Sequence, residues 1–422
     1  MLDVNQPAAK ETLACIELVL CIRIKSAGYL IDFLIPVTAM STYDFLVIGL
    51  GIVGSATCLE LARRGHSVLG LDARHPPHNS GSHHGETRSI RRAYLEGSSY
   101  VPMALNSWES WRRLERDKKT ALLTSTGNLT IGPPDCPAVL GFLSSARTYD
   151  IPYEYLTAAD ISKRWPQLSP AENFVAGLEV EAGLLVPELC IELLNSEAQK
   201  AGATLHFDEP ADGWSENGDR VQVHTKQGKY ETGRLLLAAG AWNQKLAGHF
   251  GAQLFPKRVP VQWMDPPASV NFNLDAVPVN FWQLPAFDVT GTHHYNEFYS
   301  IPVVRSGGRV KIAAHNSLED CDPDTLDENV STREVKNIRK FIKNYIPALK
   351  KCDFFLNICL YTLTPDGEFS LGALPDHGNV FIAALAGHGF KFAPVLGEIL
   401  ADMLEGDAPA YDVARFSPSR FI

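Results

Sequence analysis

The sequence lacks several features that would place it in a specialised class of protein. Its 422 residues contain 8 cysteines with no CxxC pair and no zinc-ligand spacing, which argues against a secreted disulfide scaffold or a metal site. No low-complexity tract is present and apolar residues reach 45%, so a disordered or fibrous class is excluded. A net charge of −10 argues against nucleic acid or an anionic membrane as partner. We therefore expect a globular cytoplasmic enzyme that binds a small molecule.

Long hydrophobic runs are also missing from the N-terminal region. The apolar stretches at 13–24 and 29–37 are interrupted by charged residues, and neither reaches the roughly 20 residues of a membrane helix. A signal peptide would carry positive charge before an uninterrupted apolar stretch. We interpret residues 1–40 as an extension that is either not native or disordered, with Met40 as the candidate initiator and a targeting segment as the alternative.

A glycine-rich loop follows a short apolar strand predicted at 45–48. Gly49, Gly51 and Gly54 have the GxGxxG spacing, and a helical pattern comes next. In such a loop the first glycine permits a tight turn, the second lets a pyrophosphate approach, and the third allows close helix–strand packing. Asp72 ends a second predicted strand, where its carboxylate would bind ribose hydroxyls. The pattern predicts a dinucleotide site without distinguishing FAD from NAD.

Three further segments carry a resemblance to a known family. The segments are GSHHGETR at 81–88, CLYTLTPD at 359–366 and GHGFKF at 387–392. They resemble, in order, the GSHHGDTR, covalent-flavin and C-terminal signatures of the monomeric sarcosine oxidase and N-methyl-L-tryptophan oxidase family. The resemblance runs from about Tyr43 to Phe421. It implies that the dinucleotide is FAD.

The resemblance implies an α/β fold with two parts. One is a Rossmann-like, glutathione-reductase-type FAD-binding domain, expected at 41–125, 190–255 and 355–422. The other is an α+β catalytic domain with a mixed or antiparallel sheet, expected at 126–189 and 256–354. The implied chemistry is oxidation of a secondary amine to an imine, which water hydrolyses, while oxygen becomes hydrogen peroxide. The expected partners are thus a small amine and oxygen, and the expected state is a monomer.

The same resemblance assigns roles near the C-terminus. Cys359 matches the cysteine that bonds covalently to the flavin, and Gly387 and Gly389 belong to the cofactor-binding C-terminal motif. Arg91 and Lys391 match the pair that holds the substrate carboxylate, and Lys391 also adjoins the cofactor. Without the resemblance, the cysteine would be interpreted as a small core residue and the arginine as a surface cation.

A predicted hairpin carries further candidate catalytic residues. Tyr299 falls on its first strand, and alternation places Lys311 and His315 on one face of its second strand. The resemblance implies that Lys311 assists oxygen, because a fixed cation would stabilise the superoxide formed by the first electron transfer. His84 and Arg88 match residues close to the flavin ring. No residue is a candidate metal ligand.

The sequence predicts the type of reaction more closely than it predicts the substrate. Arg92 stands where the family usually has histidine and Glu86 where it commonly has aspartate, and part of the pocket comes from the aromatic segment 263–299. We expect an oxidase of N-methyl-L-amino acids such as sarcosine or N-methyltryptophan. The alternatives are an oxidase of fructosyl amino acids, pipecolate or another cyclic imino acid, and a flavin dehydrogenase that reduces a quinone or carrier protein. Lys311 argues against the dehydrogenase, and the retained cations argue against a flavin-binding protein without turnover.

Overall fold

The computed structural model describes residues 18–26, 29–37, 41–287, 293–316 and 318–422. The strands are β1 (Leu18–Ser26), β2 (Tyr29–Val37), β3 (Ser41–Ile48), β4 (Val68–Leu71), β5 (Arg88–Ile90), β6 (Leu123–Ser125), β7 (Asn128–Gly132), β8 (Glu154–Thr157), β9 (Val175–Glu179), β10 (Gly183–Leu185), β11 (Thr204–His206), β12 (Ala211–Asn217), β13 (Arg220–Thr225), β14 (Lys229–Leu237), β15 (Phe255–Met264), β16 (Val279–Phe287), β17 (His293–Ile301), β18 (Val310–Ala314), β19 (Glu319–Asp320), β20 (Phe354–Leu363), β21 (Ser370–Leu374) and β22 (His377–Ala384). The helices are α1 (Ile52–Arg63), α2 (Val101–Lys118), α3 (Pro137–Thr148), α4 (Ala158–Arg164), α5 (Pro187–Lys200), α6 (Asn243–Leu246), α7 (Thr332–Tyr345) and α8 (Ala393–Glu405), with short 3-10 turns between some of them. Across the described ranges, every helix falls short of the length and apolar character needed to cross a bilayer.

An eight-stranded sheet forms the dinucleotide half of the molecule. Its order is β11-β4-β3-β14-β13-β12, and β22 pairs with the second half of β14 and with β21. The pairs from β11 through β14 to β22 are parallel. Parallel strands buried on both faces need continuous apolar runs, which the 45–48 and 235–237 segments supply. The helix α1 packs against α5 and α8 and so covers this sheet.

A nine-stranded sheet forms the second half. Its order is β19-β15-β18-β17-β16-β7-β9-β8, with β20 paired to the other edge of β15. Only β16 and β7 run parallel within it, so the sheet is mixed. The helix α7 packs against β15 and β18 and buries Ile338 and Phe341 in the same cluster as Ile312. The opposite face of β15 and β18 is left for a cavity.

The fold-class prediction is confirmed: a Rossmann-like parallel sheet is combined with a mixed sheet in an α/β molecule. The predicted hairpin is β17 and β18, which pair antiparallel with Tyr299 opposite Ala313. The boundaries differ slightly, because β18 ends at Ala314 and His315 lies just beyond it. The second predicted strand is β4, whose last residue Leu71 directly precedes Asp72.

The division into two domains stays a prediction. Strand β20, whose residues were assigned largely to the FAD-binding domain, pairs with β15 of the nine-stranded sheet. Within the predicted extension, β1 and β2 form an antiparallel hairpin with each other. The interpretation of residues 1–40 as non-native stays a prediction as well.

Candidate active site

The glycine loop between β3 and α1 leaves no room for side chains at two of its positions. Gly49 has φ of +99°, and a Cβ there would lie 2.6 Å from the backbone oxygen of Ala238. A Cβ at Gly54 would lie 1.8 Å from the oxygen of Gly49. At Gly51 the nearest atom is Nδ1 of His83 at 3.6 Å, so the backbone there stays open to a ligand. This geometry suits a phosphate above the N-terminus of α1.

Asp72 links the glycine loop to the end of β4. Its Oδ2 accepts the backbone N–H of Leu50 at 2.7 Å, and its Oδ1 accepts that of Arg74 at 2.9 Å. Burial raises the pKa of this carboxyl, and the two N–H groups oppose that rise. The carboxylate lines the cavity described next. Its remaining lone pairs can accept hydrogen bonds from ribose hydroxyls.

One cavity of about 750 Å³ joins the glycine loop to the face of the nine-stranded sheet. That volume lies within the range of ligand pockets, roughly 300–1,000 Å³. The predicted site residues on its wall are Gly49, Gly51, Asp72, His84, Arg88, Arg91, Tyr299, Lys311, His315, Cys359, Gly387, Gly389 and Lys391. Gly54 is the exception, since it packs α1 onto the loop. The structure therefore brings together candidates from six separate stretches of the chain.

The turn after β22 forms another part of the wall. Gly387 has φ of +80°, and a Cβ there would lie 2.6 Å from the ring of Tyr361. A Cβ at Gly389 would lie 2.5 Å from the side chain of Leu385. Only glycine fits at both positions. The backbone of this turn can thus approach a ligand closely.

Cys359 lies on β20 with its thiol buried at the cavity wall. Its Sγ accepts a hydrogen bond from Nη2 of Arg88 at 3.7 Å. Burial raises the pKa of the thiol, but the His84 imidazole and the charges of Arg88 and Lys311 lower it by more than burial raises it. The net result is a thiol pKa of about 7. The cationic surroundings therefore favour the thiolate, which is the nucleophilic form.

Lys311 reaches the same corner from β18. Its Nζ donates to the backbone oxygens of Gly85 at 2.9 Å and Thr87 at 3.3 Å, and it lies 5.4 Å from the centre of the Trp263 ring. Burial and the neighbouring Arg88 lower the pKa of the ammonium to about 7. The cation is held in place without a direct carboxylate partner among the described residues.

A carboxylate that the sequence reasoning missed holds the 85–87 loop. Oε1 of Glu188 accepts the backbone N–H groups of Gly85 at 3.0 Å and Glu86 at 3.1 Å. Glu188 lies in the first turn of α5, where a negative charge is favoured by the helix dipole. The sequence signal for it was only a Pro-Glu pair at a helix start, which says nothing about a partner about a hundred residues away.

Three neutral side chains line the wall beside Cys359. Nδ1 of His315 lies 3.2 Å from the hydroxyl of Tyr361, and the ring of Phe281 meets His315 edge-on at 5.7 Å. Burial lowers the pKa of His315 and raises those of Tyr299 and Tyr361. All three groups are therefore uncharged at neutral pH. Sequence reasoning missed Tyr361, although residues i and i+2 of a strand share a face.

Arg91 is paired with a carboxylate that was also missed. Its Nη2 donates to Oε1 of Glu96 at 2.9 Å and to Oε2 at 3.2 Å. Burial raises the pKa of Glu96, but Arg91, His388 and Lys391 lower it more strongly, to about 2. Glu96 lines the cavity with 22% of its side chain exposed. Part of the positive charge predicted for a substrate carboxylate is thus already neutralised.

Lys391 lies just before α8 and faces the same part of the cavity. Its Nζ donates to the backbone oxygen of His388 at 2.7 Å. Burial and the Arg91 charge lower the pKa of Lys391 to about 7, against an opposing effect of Glu96. Lys391 is therefore a cation that loses its charge within the neutral range. Two cations and one carboxylate meet here.

Comparison with known proteins places this geometry in a family. A family model described as FAD dependent oxidoreductase matches residues 44–403. Monomeric sarcosine oxidase from Streptomyces avermitilis is 36% identical over 382 residues, covering 90% of this chain and 98% of that protein. N-methyl-L-tryptophan oxidase from Citrobacter koseri is 33% identical, covering 90% of this chain and 99% of that protein.

A solved structure shares the fold. It is described as NikD, an unusual amino acid oxidase essential for nikkomycin biosynthesis, in its open form. The two chains are 25% identical with a TM-score of 0.76, covering 90% of this chain and 98% of that one. The family resemblance predicted from three short motifs therefore extends over nearly the whole chain.

Proposed function

The chain belongs to the FAD dependent oxidoreductase family, and we propose that it oxidises N-methyl-L-amino acids or related secondary amines with oxygen as the electron acceptor. The observation that carries this proposal is the meeting of Lys311, Arg91 and Lys391 in one cavity with the dinucleotide loop. The names of the sarcosine and N-methyltryptophan oxidases support the substrate class.

The residues of the cavity fit FAD. The open backbone at Gly51 and the carboxylate of Asp72 suit a pyrophosphate and a ribose, and the buried Cys359 lies on the same wall as Lys311. When bound, FAD would accept two electrons from the amine and pass them to oxygen. The protein's contribution is to bind, orient and shield the reactants.

Lys391 and Arg91 are the proposed ligands of the substrate carboxylate. An arginine can bind a carboxylate through two charge-assisted hydrogen bonds, while a lysine adds a point charge. For Arg91 to do so, the substrate must compete with Glu96, whose carboxylate already accepts from Nη2. The neutral side chains of His315, Tyr361 and Tyr299 would exclude water beside the amine.

Lys311 is the proposed oxygen-side cation. It is 4% exposed, and a charge in such a low-dielectric site acts more strongly than in water. His84 and Arg88 are proposed to favour the thiolate of Cys359 rather than to touch the amine. Arg88 donates to the sulfur and to the backbone oxygen of His84, the latter at 2.8 Å.

Covalent attachment of the flavin through Cys359 is part of the proposal. The thiolate favoured by its cationic neighbours supports it. Acid precipitation of the purified protein should leave yellow colour in the pellet, whereas Cys359→Ser should release it to the supernatant. Cys352→Ser serves as the matched control and should keep the colour bound, because Cys352 lies away from the cavity wall. Release from the unaltered protein would rule out the bond.

Anaerobic mixing with N-methyl-L-amino acids tests the reaction itself. Bleaching of the flavin absorbance, followed by recovery and hydrogen peroxide on admission of air, is the expected result. Sarcosine and N-methyl-L-tryptophan would rank small against aromatic side chains. If no secondary amine bleaches the flavin, the proposed activity is wrong. Bleaching without recovery in air would instead favour a dehydrogenase.

We propose that the enzyme is a monomer and that it is located in the cytoplasm. The name of the bacterial sarcosine oxidase supports a monomer, and the unpaired cysteine pattern of the sequence supports a reducing compartment. Size-exclusion chromatography with light scattering would test the first point. Cell fractionation would test the second.

A further inference from the structure

Tyr94 and His388 form a hydrogen-bonded pair behind the cavity wall. The hydroxyl of Tyr94 lies 2.6 Å from Nδ1 of His388, and the Tyr94 side chain is 0% exposed. Nζ of Lys391 donates to the same hydroxyl at 3.4 Å and lies 5.1 Å from the centre of the Tyr94 ring. Tyr94 therefore contacts Lys391 through both its oxygen and its aromatic face.

The donor and the acceptor in each of these hydrogen bonds can be assigned by starting from His388, at the end furthest from Lys391. Nε2 of His388 lies 3.2 Å from the backbone oxygen of Gly367. A carbonyl oxygen can only accept, so Nε2 must carry the proton. Burial lowers the pKa of His388 to about 4, so the ring is neutral and its Nδ1 is an acceptor. The Tyr94 hydroxyl must therefore donate to His388.

The orientation of the Tyr94 hydroxyl determines which of its groups faces the Lys391 ammonium. Because the Tyr94 proton points to His388, the lone pairs of the hydroxyl oxygen are free to accept from the ammonium. The backbone oxygen of Lys391 is held as well, by the hydroxyl of Ser107 and by Nε1 of Trp111 at 2.8 Å. Two of the three ammonium protons are directed at protein acceptors, which leaves one for a ligand in the cavity.

We propose that Tyr94 is a positioning residue that holds the Lys391 ammonium for the substrate carboxylate, and that His388 sets the direction of the Tyr94 hydroxyl. The inference rests on the proposed role of Lys391 in binding that carboxylate. Tyr94 does not line the cavity, so it can act on a ligand only through the residues it contacts. Its hydroxyl contacts Lys391, and its ring also lies 5.4 Å from Cζ of Arg91. The charged groups facing Lys391 are Arg91, which opposes its charge, and Glu96, which favours it.

The test is the pH dependence of carboxylate binding. Butyrate is a suitable probe, because a CH₂ group replaces the amine of N-methylglycine and only the carboxylate remains to be recognised. Its dissociation constant is measured from the flavin absorbance of the holoenzyme between about pH 5.5 and 9, a range around the pKa of Lys391 near 7. Butyrate itself stays mostly ionised over this range, and its small protonated fraction at the lowest pH is the same for every variant. Binding should weaken as the pH rises through about 7, because the ammonium is lost.

In Tyr94→Phe the aromatic ring remains but the acceptor is gone. The charged form of Lys391 is then less favoured, so the midpoint of the pH profile of butyrate binding should move to lower pH by about one unit. The dissociation constant of butyrate at about pH 8 should rise roughly tenfold as a result. Near pH 5.5, where Lys391 is charged in both proteins, the change should be small. His388→Leu should shift the midpoint in the same direction by less.

Tyr100→Phe is the matched control. Tyr100 is equally buried and its ring lies 5.1 Å from that of Tyr94, but its hydroxyl donates to Glu368 instead. This variant should leave the midpoint unchanged, which separates the hydroxyl effect from loosened packing. Thermal unfolding and flavin content would verify that each variant folds.

The outcomes separate two kinds of failure. If butyrate binds the unaltered protein and Tyr94→Phe shows the same pH profile, the positioning role is wrong while the proposed function stands. An equal shift in Tyr100→Phe would also overturn the role. If neither butyrate nor any N-methyl-L-amino acid perturbs the flavin of the unaltered protein, the proposed function itself fails.

Discussion

Lys311 and Lys391 are two buried lysines on the wall of the same cavity, and they differ in their neighbours. Burial is the largest cause that lowers the pKa of each to about 7. Lys311 is bonded to backbone oxygens of the 85–87 loop, beside Arg88 and the Cys359 thiol. Lys391 shares its surroundings with Arg91, Glu96 and Tyr94.

The difference teaches that burial alone does not specify the role of a lysine. The Lys311 ammonium is held by two backbone oxygens in the corner shared with the Cys359 thiol, which suits a small species that acquires negative charge only during the reaction, such as oxygen. The Lys391 ammonium lies near Arg91, the second proposed carboxylate ligand, and its carboxylate partner Glu96, which suits a ligand that brings a full carboxylate. The proposed roles of Lys311 and Lys391 follow this distinction, and replacing each lysine in turn would test it.

The largest effect is expected for Lys311→Met. Reoxidation of the reduced flavin by oxygen should slow by roughly two to three orders of magnitude, because the developing superoxide loses its stabilising charge. Flavin reduction by the amine should stay nearly unchanged. Stopped-flow absorbance measures the two half-reactions separately. Equal slowing of both would contradict the assignment of Lys311 to oxygen.

The reverse pattern is expected for Lys391→Met. Loss of a charge-assisted hydrogen bond should raise the dissociation constant of butyrate by roughly 10- to 100-fold at about pH 6. Reoxidation in the absence of substrate should match that of the unaltered protein. The two methionine variants are controls for each other, since each removes one buried ammonium. If Lys311→Met weakened butyrate binding as much as Lys391→Met does, the two lysines would not have the separate roles proposed here.

A smaller effect of opposite sign is expected for Glu96→Gln. Neutralising this carboxylate frees Arg91 for the ligand, so butyrate should bind roughly three- to tenfold more tightly at about pH 6. The gain should disappear at higher pH, because Glu96 also favours the charge of Lys391. Glu181→Gln, which alters a mostly exposed partner of Arg92, should change nothing. Unchanged binding in Glu96→Gln would mean that Arg91 does not take part.

The dinucleotide half of the site was predictable because its signal is local. The strand, loop and helix around Gly49 are adjacent in sequence. Each glycine is needed because of the backbone conformation or a close contact within this short segment. Burial of the second half of β3, 45–48, followed likewise from its continuous apolar run. The flavin-side candidates, including Cys359, came from resemblance to a family rather than from spacing.

The electrostatic partners were not predictable in the same way. Glu96 and Glu188 are acidic residues without a motif, and their roles depend on which cations or N–H groups the fold brings to them. Glu188 meets the 85–87 loop across about a hundred residues of chain, so no local pattern encodes the contact. Tyr361 was accessible in principle, since it shares a strand face with Cys359.

Short-range steric and hydrophobic requirements act between residues close together in the sequence, and so the strand at 45–48, the glycine loop and the alternation along β18 could be derived from residues alone. The architecture of the two sheets was instead implied by the family resemblance. The state of charge of the cavity could not. It depends on desolvation and on distances of a few ångströms between side chains from distant segments, which exist only after folding. The pairing of Arg91 with Glu96 and the direction of the Tyr94 hydroxyl are therefore properties of the tertiary structure.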